Sequence, residues 1–137
     1  MVGKVIVAQT PAQFTEAAIA LFAAGDRAAA GRLCEQGLHE VPAGAEALVL
    51  EGILLTVNGR VNDAMCAFDK ALSLAPALLA AHLAIAQTLA EKQWHHSALA
   101  VMEAARQTTP MTPEAERLFA RVREYLEDTR DTAGNTP

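Results

Sequence analysis

Residues 45–78 read AEALVLEGILLTVNGRVNDAMCAFDKALSLAPAL, and how this stretch parses decides the fold. From Ala45 to Val57 it is apolar at most positions; Asn58-Gly59-Arg60 interrupts it; a second apolar-periodic run goes from Val61 to Ala75 and meets Pro76. Glycine takes a left-handed turn conformation without steric cost, and proline cannot continue a helix ladder. The stretch therefore predicts two helices joined by a tight turn. Their residue sizes are ordered: Gly52, Ala64 and Ala71 are small, whereas Leu48, Leu55 and Phe68 are large.

A shift of thirty-four residues in either direction finds the same classes again. Proline recurs at Pro42, Pro76 and Pro110, and the alanine opening the second helix at Ala30, Ala64 and Ala98. The first helix carries a small residue at Ala18, Gly52 and Ala86 and a leucine at Leu21, Leu55 and Leu89. The second helix carries a core residue at Cys34, Phe68 and Met102 and a small one at Gly37, Ala71 and Ala105. Small residues let helix axes approach to about 8–9 Å, and the larger side chain fills the space between successive pairs. Truncating Phe68 is expected to cost about 3–5 kcal/mol, as for other buried phenylalanines.

Outward from this centre the plan holds. Thr10-Pro11 is an N-cap followed by a first-position proline, so a helix runs from Pro11 to about Ala24 and stops at Gly25. Asp26 caps the next, which Pro42 ends. The third pair spans about 79–92 and 94–107, with Gln93 where the other turns have glycine, so this turn is either built differently or strained. Thr112-Pro113 starts a last helix with Leu118, Phe119, Val122, Tyr125 and Leu126 on one face. The units are thus an apolar segment 1–10, three pairs at 11–44, 45–78 and 79–112, a capping helix 113–128 and a polar tail 129–137 expected to be disordered.

This pattern resembles the tetratricopeptide repeat, a helix–turn–helix unit of about thirty-four residues. The middle unit matches best, through Gly52, Leu55, Gly59, Ala64, Phe68, Ala71 and Pro76. The first unit has Cys34 for the usual phenylalanine, and the aromatic usual near the start of the first helix is Phe14, Leu48 and His82 here. The resemblance implies an all-α, right-handed α-solenoid of seven helices: three repeats and the terminal cap that such arrays need. It also implies that the first helices line a concave groove holding a partner peptide or helix. The corresponding places are Thr15, Glu16, Ile19 and Phe22, then Glu46, Val49, Leu50, Ile53 and Val57, then Leu83, Ala84, Gln87 and Glu91. None is lysine or arginine, so the chaperone-tail carboxylate clamp found in some relatives of this fold is not expected. An apolar groove flanked by Glu16, Glu46 and Glu91 suits an apolar segment with basic flanks.

The helix at 45–57 supports a groove without the resemblance. Leu48, Gly52 and Leu55 form one stripe; Val49, Ile53 and Val57 form another on a different side. A helix apolar on nearly all sides is either buried or covered by a ligand, so the second stripe reads equally as groove surface or as ordinary core covered by residues 1–10.

Composition narrows the functional classes. Hydrophobic residues make up 52% but aromatics only 4%, which favours helix over strand. A net charge of −5 argues against a nucleic-acid binder and against anionic membrane surfaces. No apolar run reaches the ~20 residues of a membrane span, the opening residues make no convincing signal peptide, and Cys34 and Cys66 suit a reducing compartment. A cytoplasmic protein is expected. Cys34 and His39, five apart, do not share a helical face, and adjacent His95 and His96 point about 100° apart. No phosphate loop, metal-ligand set or nucleophile elbow is present, so neither catalysis nor a cofactor or metal is expected. Trp94 is expected to pack, the alternative being an exposed second interface anchor on the convex side.

The expected function is a non-catalytic adaptor or chaperone-like protein that binds an apolar peptide or helix of another protein. The groove type resembles that of small bacterial secretion chaperones. The alternative is a self-assembling scaffold, a homo-oligomer in which Val2–Val7 of one chain fills the groove of another.

Overall fold

Local chemistry sets the helix limits in the computed structural model, which describes residues 10–134. Helix α1 (Pro11–Ala23) starts from a full capping box, in which the Thr10 side chain accepts from the Gln13 backbone and the Gln13 side chain accepts from the Thr10 backbone. Asp26 accepts from the Ala29 N–H at the start of α2 (Arg27–Glu40). The second pair is α3 (Ala45–Val57) and α4 (Val61–Leu74), and the third is α5 (Leu79–Glu91) and α6 (His95–Thr108). Helix α7 (Pro113–Gly134) follows, with the Thr112 hydroxyl accepting from Ala115 N–H in its first turn. The described residues hold seven helices and no strand.

The three turns inside the pairs are one structure built three times. The N–H groups of Asp26, Arg60 and Trp94 donate to the carbonyls of Leu21, Leu55 and Leu89, the recurring leucine. Those of Gly25, Gly59 and Gln93 donate to Phe22, Thr56 and Ala90. This is the Schellman pattern, and its central residue is left-handed. Gly25 and Gly59 have φ of 87° and 81°, and Gln93 adopts 67° in the same place. The third turn is therefore strained rather than redesigned, at a cost of about 1–2 kcal/mol for a residue with a Cβ.

Packing follows the size columns. A Cβ on Gly52 would lie 2.7 Å from both Cδ1 and Cζ of Phe68 and nearer still to Cε1, so α3 and α4 meet with the ring against bare backbone. Gly37 plays the corresponding part for α2, where a Cβ would stand 2.7 Å from Leu50 and 2.9 Å from Phe14. Each helix packs on its sequence neighbour; α7 in addition reaches past α6 to both α5 and α1, and α1, α3 and α5 pack on one another. These neighbour contacts are those of a helical-repeat solenoid, closed enough for its first and third units to touch.

Two expectations change. The helix expected to end at residue 128 runs on to Gly134, so residues 129–134 are helical rather than a disordered tail. Thr129 explains part of this: its hydroxyl donates within the helix to the Tyr125 and Leu126 carbonyls and meets His95 Nε2 of α6 at 3.1 Å. Trp94, expected to pack, is 53% exposed, with the Lys92 ammonium 4.4 Å from its ring centroid. The expected apolar segment 1–10, apart from Thr10, and residues 135–137 lie outside the described residues.

Candidate functional site

The places assigned to the groove divide into three sets. Ile19, Phe22, Val49, Leu50, Ile53, Leu83 and Gln87 are buried within the chain, none more than 2% exposed, and Thr15 and Ala84 are buried with them. Val57 and Glu46 are half-buried, and Glu16 is exposed. Glu91, the remaining place, is engaged inside the chain.

The burial has a physical cause. Because α1 touches α5 and α7, the inward faces of the first helices meet one another instead of surrounding a channel. Gln87 Nε2 of α5 donates to the Ile19 carbonyl of α1 at 3.0 Å, across the space a partner would have used. Thr56 of α3 donates to the Gly52 carbonyl, and its hydroxyl lies 2.8 Å from that of Thr88 on α5. These polar groups are buried in pairs, which removes most of the penalty of burying each alone.

At the C-terminal ends of α1 and α5 the closure is completed by a cluster around Glu91. Arg27 Nη1 stands 2.6 Å from Glu91 Oε1, and the Tyr125 hydroxyl donates to Glu91 Oε2 at 3.2 Å. The Arg27 guanidinium also lies over the Phe22 ring at 5.1 Å, and Phe22 meets Tyr125 edge-on with centroids 5.7 Å apart. Four helices are thereby joined by four side chains. Burial, reinforced by the Glu91 carboxylate, pushes the Tyr125 phenol above its usual range.

At the N-terminal ends of the same helices the closure fails and leaves a cleft of about 510 Å³. Ala12, Glu16, Ala17 and Ala20 of α1 form one wall, and Ala115, Leu118 and Arg121 of α7 the other. Leu78, Leu79 and Ala80 form the floor at the start of α5, and Pro110 closes one edge. Leu78, Leu79 and Leu118 are only half-buried, so the cleft presents apolar surface to solvent. Its rim carries both signs of charge. Arg117 pairs loosely with Glu114 at 3.9 Å, while Glu16 and Arg121 make no ion pair among the described residues. The volume lies within the ~300–1,000 Å³ of ligand-sized sites.

Of the expected groove residues, Glu16 and its neighbour Thr15 line this cleft. Leu78, Leu79, Leu118, Arg117 and Arg121 were not expected there. The signal was present only in part: the α7 stripe begins at Leu118, but its docking beside α1 joins residues about a hundred positions apart.

Among the described residues, no cysteine or histidine lines this cleft. Cys34 is buried, and burial, with a smaller contribution from Glu35, pushes its thiol up to about 12. His39 is exposed on a different side of α2, and His95 is buried against Thr129 while its neighbour His96 faces solvent. Among the described residues no three His, Cys, Asp or Glu side chains gather as a metal set. No helix there is long and apolar enough to cross a membrane. Comparison with protein-family models gives no match, and comparison with curated protein sequences gives none either.

Proposed function

We propose that this chain is a non-catalytic protein–protein interaction module of tetratricopeptide-like build, working as a cytoplasmic adaptor or chaperone-like protein. It takes an apolar peptide or helix end of another protein into the cleft between α1, α5 and α7. The observation that carries this reading is the half-exposed leucine floor, Leu78 and Leu79, facing Leu118 between two helical walls. Apolar surface gathered in a concavity with a charged rim is what an apolar anchor residue needs, because the pocket desolvates it while the rim sets its orientation. The mixed rim of Glu16, Glu114, Arg117 and Arg121 favours a segment whose flanks are themselves charged.

The test is affinity capture with the full chain alongside Leu118→Glu, which places a carboxylate in the cleft at a half-buried position. Both proteins are first checked for equal melting temperature, with Leu79→Glu in reserve if the first variant is destabilised. Proteins retained by the wild type and lost by the variant are then purified and titrated against both. Binding that weakens at least about tenfold, equivalent to ~1.4 kcal/mol, supports the cleft. Partners retained equally by both proteins would place the binding surface elsewhere.

A further inference from the structure

The nine residues before Thr10 read MVGKVIVAQ, with branched apolar side chains at Val2, Val5, Ile6 and Val7 and one charged side chain, Lys4. They join the described chain at the cleft itself. Thr10 is the N-cap of α1, with extended backbone at φ −109° and ψ 156°, and Ala12 and Gln13 in the first turn beyond it line the cleft. We propose that this segment is the cleft's resident occupant within its own chain, with Val5, Ile6 and Val7 covering the Leu78, Leu79 and Leu118 surface.

Length, composition and tethering support that occupant. An extended chain advances about 3.3 Å per residue, so the six residues 4–9 reach about 20 Å from Thr10, enough to lay Val5–Val7 across the floor. β-branched residues are stiff and favour extended backbone, so they lose little freedom in a narrow cleft. On the rim, the Glu16 and Glu114 carboxylates offer Lys4 a partner. A short tether holds the segment at an effective concentration of about millimolar, so weak apolar contact is enough to fill the site. An outside partner must then displace it, which lowers that partner's apparent affinity and makes the segment a built-in competitor. The inference uses the same cleft as the proposed partner site, but its test does not involve a partner.

The test is disulfide trapping in the full chain, with Cys66→Ser removing the exposed native thiol. Cys34 remains, buried and with its thiol pushed up to about 12, so it reacts slowly. Ile6→Cys is combined with Leu118→Cys in the cleft or, as the control, with Glu40→Cys, exposed at the end of α2 and not part of the cleft lining. Leu79→Cys gives a second cleft pair if Leu118→Cys fails to fold. The expected result is a monomeric, intramolecular disulfide forming at least about tenfold faster for the cleft pair than for the control. Equal rates would overturn the proposal, leaving the partner reading intact. Chiefly dimeric product would also overturn it and assign the cleft to a second copy of the chain.

Discussion

Adding one methyl group at Gly52 tests the rule by which this chain stacks. On intrinsic helix propensity alone Gly52→Ala should stabilise α3 by about 1 kcal/mol. The structure predicts the opposite sign. The new Cβ would sit 2.7 Å from two carbons of the Phe68 ring and closer to a third, against an optimal carbon–carbon separation of about 3.5–4.0 Å. Phe68 is 0% exposed, so its ring cannot swing into solvent and must push α3 and α4 apart by roughly 1 Å or leave its rotamer. Overpacking of this kind costs about 1–3 kcal/mol and occasionally more. A clash with a rigid ring falls at the upper end, leaving a net loss of about 2 kcal/mol, or roughly 8 °C in Tm for a chain of this size. The third unit shows how to relieve it, since it pairs Ala86 with the flexible Met102 in the equivalent places. Phe68→Met should therefore be less costly in the Gly52→Ala background than alone, with a coupling of at least about 1 kcal/mol. Urea unfolding of the four proteins, followed by far-UV circular dichroism, measures the cycle. A stabilised Gly52→Ala variant, or effects additive to within about 0.5 kcal/mol, would refute the small–large pairing.

Two further perturbations follow from the structure. Gln93→Gly should stabilise the chain by about 0.5–1 kcal/mol, because it releases a left-handed non-glycine residue while keeping the turn's hydrogen bonds; an unchanged urea midpoint would show that the 67° φ carries no strain. Stability should also fall in alkali. Cys34 titrates near 9.0 when unfolded but is held protonated to about 12 by burial, so its contribution is complete below pH 9 and is lost between about 9 and 12. The slope it adds is about 1.4 kcal/mol per pH unit. Tyr125, raised by burial and by Glu91, adds to the decline above about pH 10. Urea midpoints between pH 8 and 11 should therefore decline less steeply for Cys34→Ala, and at the upper end for Tyr125→Phe; wild-type slopes in both would exclude these groups as the source.

The helices and their caps are legible in the residues alone, because each depends on residues within one or two turns of one another, and the thirty-four-residue recurrence shows as a repeat of these local patterns. Thr10 with Gln13, Asp26 with Ala29 and the three Schellman turns are local structures, and a periodic pattern of side-chain size is legible wherever small and large residues must alternate. The sizes of Gly52 and Phe68 were legible, but their contact was not: the ring expected between successive pairs lies against Gly52 within its own pair. Tertiary structure alone decided which faces remain open. Val49, Ile53 and Val57 form a second apolar stripe that reads equally well as groove or as core, and whether it is covered depends on the curvature accumulated over three helix pairs and on where α7 docks. Here α1 packs against α5 and α7, so the stripe is largely interior. The same long-range closure tightens around Glu91 at one end and opens at the other, where Leu78, Leu79 and Leu118, distant in sequence, come to share a cleft.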